Sequence, residues 1–237
     1  MKLRALALAC AVVAVLLLAA AGPGTRLGLW HFRTGFQLLR WGAYAGIAGI
    51  VLSLAALVVA RRQRAGVATA LVALVLAAIA FGLPWRMMQH ARAVPPIHDV
   101  TTDTQDPPAF VAVLPLRAGA PNSATYGGDS IAAKQRAGYP DIRPLQLGVP
   151  PGAAFTRARA AAQEMGWEIV AADSVDGRIE ATATTRWFGF KDDVVVRIRP
   201  DAAGSRVDVR SVSRVGGSDV GANAERIRAY LRRVESA

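Results

Sequence analysis

Cysteine is almost missing from this chain of 237 residues: Cys10 is the only one. That excludes an internal disulfide framework and a multi-thiolate metal site. Cys10 lies inside an apolar run that continues well past it, so "LALAC" is read as an inert buried thiol and not a lipoprotein box. Acid is missing from the first 85 residues, which carry eight basic side chains and no Asp or Glu. Lysine is scarce, three against 25 arginines, and with abundant alanine this points to a GC-rich bacterial source. Histidine is limited to His31, His90 and His98. There is no G-x-S-x-G elbow and no P-loop Lys-Ser/Thr pair. Ser211, Ser213 and Ser218 are present, but nothing beside them in sequence marks a nucleophile.

The net charge of +11 resembles that of a nucleic-acid binder, but its placement argues otherwise. Residues 1–85 contribute +8, and residues 86–237, with 20 basic and 17 acidic side chains, contribute +3. The surplus flanks apolar runs, where membrane topology accounts for it. No nucleic-acid partner is expected.

Three uncharged stretches are long enough to cross a bilayer core of ~30 Å as helices: 5–25, 41–60 and 65–85. The first also carries small residues in "LLLAAAG" that would suit a signal-peptide cut. The loop "RRQR" sets Arg61, Arg62 and Arg64 between spans two and three, and Lys2 and Arg4 precede span one. The positive-inside rule keeps both groups in the cytoplasm. The expected location is the bacterial inner membrane, with the N-terminus cytoplasmic and the chain after Trp85 periplasmic. Trp30, Trp41 and Trp85 then fall at the outer interface. No acid lies within a span, which argues against a transporter or proton relay. Gly42, Gly46, Gly49 and Ser53 form one small-residue stripe, and Gly66, Ala70, Ala73, Ala77 and Ala80 another. Such stripes seat either the chain's own helices or a second copy, so a homo-oligomer through Gly42, Gly46, Gly49 and Ser53 is one expectation.

Residues 86–152 hold most of the prolines and read as an extended arm wrapping the domain, with a short strand at Phe110–Leu114 and a helical turn at "SIAAKQRA". From 153 to 237 the pattern turns regular. "AAFTRARAAAQEMG" places Phe155, Ala158, Ala162 and Met165 on one helix face. Four strands follow: "WEIVAAD", "RIEATATT", "DDVVVRIRP" and "SRVDVRSVS". A closing helix carries Ile227, Tyr230, Leu231 and Val234 at helical spacing. The fold class is therefore three transmembrane helices followed by an α+β domain: an antiparallel sheet in the order α-β-β-β-β-α, with two helices on one face. The other face, with Glu180, Thr182, Thr184, Arg197, Arg199, Asp208 and Arg210, reads as wet unless the arm covers it.

"PPIHDVTTDTQDPPAF", "RIEATATTRWFGFKDDVVVRIRP", "RVDVRSVSRVGGSDVGANAERIRAYL" and "MGWEIVAAD" together resemble the domain-of-unknown-function family 1499 from about Pro95 to Val234. With "GLWHFRTGFQLLRWGAY" ahead of them, they look like its membrane-anchored subgroup. The resemblance implies a domain boundary and an anchor, and carries no mechanism.

Three stretches hold candidate sites. His98, Asp99, Asp103 and Asp106 fall within nine residues, a set that could hold a divalent cation or serve only local turn chemistry. Trp187, Phe188 and Phe190, with Arg197 and Arg199, are a ligand-binding candidate, against a reading in which the aromatics plug the sheet's open end. Lys191, Asp192 and Asp193 read as solvated pairs at a strand start. Arg210, Arg214, Gly216, Gly217 and Ser218 are an anion-binding candidate at a helix that would start at Asp219 with Ser218 as its cap, against a purely structural joint. Asn223 is placed to bond the arm. No cofactor and no catalytic residue is implied. The expected function is a periplasmic binding or interaction domain engaging an envelope protein, lipid or other ligand. The alternative is a metal-dependent envelope enzyme using the His98 cluster.

Overall fold

The computed structural model describes residues 2–63, 65–202 and 204–237. Arg64 of the basic loop and Ala203 of the "DAAG" turn lie outside the described residues. The chain divides into two compact units, residues 1–92 with 186–189, and residues 93–185 with 190–237.

The first unit contains α1 (Lys2–Arg26), α2 (Phe32–Gln63) and α3 (Val67–Ala93), each long and apolar enough to cross a membrane. Helices in lipid gain little from burying apolar surface, so close backbone approach decides how they pack. The small-residue stripes provide it. A Cβ on Gly42 would lie 3.2 Å from the Ala14 carbonyl of α1. One on Gly46 would lie 3.0 Å from the carbonyl of Ala77 and the nitrogen of Phe81 in α3. Gly49 faces the Ala77 methyl and the Ala11 backbone together. Gly42, Gly46, Gly49 and Ser53 are thus buried by the chain's own helices, as are Ala70, Ala73, Ala77 and Ala80. Leu16, Val51, Val58 and Val75 point outward, as lipid-facing positions should. The segment 186–189 groups with these helices: Phe188 lies 5.3 Å from the Phe36 ring, and Trp187 covers Gly22, where any side chain would collide with the indole.

The second unit is an antiparallel sheet. Its strands are β1 (Asp99–Thr101), β2 (Leu145–Leu147), β3 (Glu168–Asp173), β4 (Arg178–Thr184), β5 (Lys191–Asp201) and β6 (Gly204–Ser213). Their order is β1-β6-β5-β4-β3, and β2 pairs with the same edge of β6 as β1. The helices are α4 (Asp129–Gly138), α5 (Pro151–Glu164) and α6 (Ala222–Ser236). Strand alternation sends Ile179, Ala181, Val194, Val196, Val207 and Val209 to one face. There they bury against Ala158 and Ala162 of α5 and Ile227 and Tyr230 of α6. Each large apolar side chain so buried contributes about 1.5–3 kcal/mol. Tyr230 stacks on Trp167 at 4.8 Å and donates its hydroxyl to the Ala158 carbonyl at 2.8 Å, which ties α6 to α5.

The opposite face is covered too. Phe110 and Val113 of the arm press on Val195 and Val212, making a second small core. The arm therefore closes a face whose charge pattern suggested solvent. Residues 110–114 are not the expected strand; they turn into a 3₁₀ segment, Pro115–Arg117. The reason is that Val111, Ala112 and Val113 donate their N–H groups to the Glu180 carboxylate, not to a neighbouring strand. The expected helical turn at "SIAAKQRA" is α4, whose Gln135 pairs with both the N–H and the carbonyl of Thr101 and so caps the β1 edge.

Candidate functional site: an arginine-lined groove

Register decides which charges meet on the arm-covered face. Along β4, β5 and β6 the rows are Arg178–Arg197–Asp208, Glu180–Val195–Arg210 and Thr182–Asp193–Val212, with Arg199 opposite Arg206 beyond the first. Two of these contacts set arginine directly against arginine. Like charges placed so are destabilising unless anions lie between them.

Those anions come from the sheet and from the arm. Asp208 accepts from Arg197 at 2.9 Å and from Arg206 at 3.0 Å. Asp103 accepts from Arg206 at 2.6 Å and Arg197 at 3.4 Å, and its other oxygen takes the N–H groups of Gln105 and Asp106. Asp106 bridges Arg197 at 3.1 Å and Arg199 at 2.9 Å through one oxygen. Deeper in, Asp99 holds Arg210 through two bonds of 2.9 and 2.7 Å. Arg210 also reaches the carbonyls of Pro108 and Ala124 and lies over the rings of Phe110 and Tyr126. Asp193, fully buried, takes Arg117 at 2.6 Å, Arg214 at 2.8 and 2.9 Å, and the Thr182 hydroxyl. A buried pair of this kind adds little over apolar packing, yet is costly to break. The network fixes where the arm lies.

The arm does not close this face entirely: one recess opens at Asp103, Arg136 and Arg206, and a groove opens beside Arg197. Asp106, Pro107, Pro108, Ala109, Val111, Asp176, Arg178, Val195, Arg197 and Arg199 line a groove of about 430 Å³. Its walls combine prolines and valines, which offer no side-chain hydrogen bonds, with three guanidinium groups that bind anions in a planar fork.

Two carboxylates of the network have shifted acidity. Burial pushes Asp193 up, but bonds from Arg214, Thr182 and Arg117 outweigh it and hold the carboxyl below its usual 3.8. Burial also pushes Asp103 up, and the N–H groups of Asp106 and Gln105, with Arg206 and Arg197, carry it below 3.8. A depressed folded value means stability that is present above the unfolded value and is lost as pH falls through the folded one. Asp219 has the opposite sign: burial raises it, so its protonation favours the fold as pH drops. With Asp103 and Asp193 dominating, the thermal midpoint of the soluble unit should be flat from pH 7 to 5 and fall below about pH 4. A melting series on the full chain in detergent checks this, and a midpoint unchanged at pH 3 would contradict it.

The profile of a family described as a protein of unknown function, DUF1499, matches residues 99–234, more than half the chain. The chain belongs to this family. A search of curated proteins returns no match. The DUF1499 segment runs from the first residue of β1 into α6, so it contains the arm from Asp99 onward, the sheet and the groove, and leaves α1, α2 and α3 outside.

Within the DUF1499 segment the sequence candidates separate. Asp99, Asp103 and Asp106 each engage arginine, and His98 uses its carbonyl to accept from Ser213 and Asn223. Among the described residues no group of three or more His, Cys, Asp or Glu side chains is placed to hold a metal ion. The metal-dependent alternative is not favoured: the acids of "IHDVTTDTQDPP" are counter-ions for the sheet's arginines. Arg197 and Arg199 line the groove, while Trp187 and Phe188 belong with the helical unit. Asp192 and Asp193 are not solvated: Asp192 meets Arg226 at 2.5 Å, and both are buried.

The glycine joint also differs from expectation. α6 starts at Ala222, with Gly221 in a left-handed conformation before it. Asp219, not Ser218, caps it, accepting from Gly221 at 2.9 Å and Asn223 at 2.8 Å. The helix end is thus served by the chain's own carboxylate. Arg210 and Arg214 project to the arm side of the sheet, bonded to Asp99 and Asp193, whereas Gly216, Gly217 and Ser218 lead into α6 on the other side. Arg214 and Gly216 share Asn122 as a partner through their carbonyls, but both guanidiniums of the five residues are already taken by carboxylates. Asn223 does bond the arm, through Nδ2 to the His98 carbonyl at 3.0 Å.

Sequence reading missed Arg178, Arg117 and the burial of Glu180. The signal for Arg178 was available, because it continues the alternation of Glu180 and Thr182. Arg117 had none, lying in an irregular segment with no period.

Proposed function

We propose that this DUF1499 protein is an inner-membrane-anchored binding module of a bacterial envelope, with its soluble domain in the periplasm and the groove at Arg178, Arg197 and Arg199 as its contact site. The observation that carries the reading is the groove itself: beside the part of the sheet face that Phe110 and Val113 cover, three guanidiniums converge over an apolar floor. A concave site with a few convergent polar groups is the ordinary form of a ligand site. Basic flanks at Lys2, Arg4, Arg61 and Arg62 support the orientation. Val111, exposed on the arm and lining the groove, adds apolar surface available to a ligand or partner. The prolines of the arm suit this role, since they present fixed backbone without unpaired N–H groups.

A photoreactive amino acid placed at Val111 in the full chain, in intact cells, should give adducts. The same group at exposed Thr156 on α5 should not. Equal labelling at both positions, or none at Val111, would count against the groove as the contact site.

A further inference from the structure

Four arginines gather at one end of the arm-covered face, in two directly opposed pairs, Arg178 with Arg197 and Arg199 with Arg206. The carboxylates that compensate them are not equally held. Asp208 is fully buried. Asp103 is fixed by two backbone N–H groups as well as by arginines. Asp106 is different: its side chain is 63% exposed and, among the described residues, is bonded only through one oxygen shared by Arg197 and Arg199, while its backbone carbonyl stays on Arg197 at 2.9 Å. Arg199 is itself 54% exposed, and among the described residues Asp106 is its only ion-pair partner. Exposed ion pairs of this sort are weak, so the Asp106 carboxylate can leave at little cost. Asp208 and Asp103 would meanwhile keep the Arg197 guanidinium aimed.

We infer that the groove takes a phosphate-class oxyanion against Arg178, Arg197 and Arg199, and that the Asp106 carboxylate holds that place when the anion is absent. This rests on the groove being the contact site, and it adds the ligand's chemistry and a built-in competitor. A single carboxylate oxygen serves two guanidiniums here. A tetrahedral group with three peripheral oxygens offers one to each of three guanidiniums: Arg197 meets it through Nη1, its Nε and Nη2 being held by Asp208 and Asp103, and the more exposed Arg199 can present a fork. Arg178 reaches Asp176 and Glu180, both at 3.2 Å, and Asp176 is an exposed rim residue that can turn outward as the anion enters. The groove of about 430 Å³ exceeds what the oxyanion alone would fill. Pro107, Pro108, Val111 and Val195 would flank whatever the anion is attached to.

The test is calorimetric titration of the full chain in neutral detergent with inorganic phosphate. A second arm uses a short-chain phosphatidylglycerol below its micellar concentration, against the matching phosphatidylcholine. Asp106→Asn should tighten phosphate binding by about fivefold, the gain expected from removing an exposed competing pair. Arg199→Gln should weaken it by about tenfold or more. Because both positions are exposed, unchanged thermal melts confirm that the variants are folded. Binding of phosphate and the glycerol lipid at similar affinity identifies a free oxyanion as the ligand class. Binding of that lipid at least tenfold tighter than phosphate identifies a lipid headgroup. No phosphate binding even by Asp106→Asn, or binding unaffected by Arg199→Gln, overturns the inference. Adducts at Val111 in cells would then still leave the contact-site reading standing, whereas loss of both results would end both.

Discussion

Replacing Glu180 with Ala should destabilise the soluble unit by roughly 3–5 kcal/mol, the cost of removing one partner from a buried charged network. Glu180 has no solvent exposure. Its two oxygens accept the N–H groups of Val111, Ala112 and Val113 at 3.0–3.1 Å and the Arg178 guanidinium at 3.2 Å. Alanine removes the acceptor and leaves the arm's donors facing an apolar patch. An unsatisfied buried donor costs about 1–3 kcal/mol; the Val113 N–H is buried and bears that cost in full, while those of Val111 and Ala112 are only partly buried, and the stranded Arg178 charge adds to it. Against a total stability of 5–15 kcal/mol typical of domains, the variant should melt far earlier or fail to fold. Glu180→Gln keeps one acceptor oxygen and should fall between the two. The control is Asp141→Ala. That residue pairs with Arg228 on the surface at 2.6 Å, and its loss should cost at most about 1 kcal/mol. Chemical denaturation of the full chain in detergent, followed by tryptophan fluorescence, gives the comparison. Equal small effects from Glu180→Ala and Asp141→Ala would mean that the arm is not fastened by this carboxylate.

Much of the soluble fold was legible because its strands alternate cleanly. Val194, Val196 and Ile198 against Val195, Arg197 and Arg199 give the strand and its two faces together, while its register came from the structure. The closing helix was legible from Ile227, Tyr230 and Val234. What the alternation hid was the fate of the second face. Polar residues at alternate positions look the same whether water or an arm covers them. Only the excess of opposite charges on neighbouring strands hinted that they would pair. The arm resisted for a different reason. Its hydrogen bonds run to side chains such as Glu180 and Gln135, contacts distant in sequence that leave no local period. Phe110–Leu114 has strand composition and still forms a turn, since a buried carboxylate outcompetes a ladder there.

The candidate site was half legible. Arg197 and Arg199 followed from the strand pattern. Their separation from Trp187 and Phe188 did not, because four loop residues near in sequence to the sheet group with the helices. The metal reading of His98, Asp99, Asp103 and Asp106 gave way to arginine pairing for a reason that composition could have suggested. With 25 arginines in the chain, acids that are close in sequence are more easily claimed by guanidiniums than shared around one cation.

The proposed role depends on which side of the membrane the groove occupies. Arg61 and Arg62 close α2, and no acidic residue precedes Asp99. Moving such a basic cluster across the bilayer is strongly disfavoured, so the hairpin of α2 and α3 should deliver the remaining chain to the exterior. The decisive measurement is a pair of C-terminal fusions made after Ala237 and expressed in a Gram-negative host. Alkaline phosphatase, active only outside the cytoplasm, should be active, and a fluorescent protein that matures only in the cytosol should stay dark. A bright fluorescent fusion with inactive phosphatase would contradict the account.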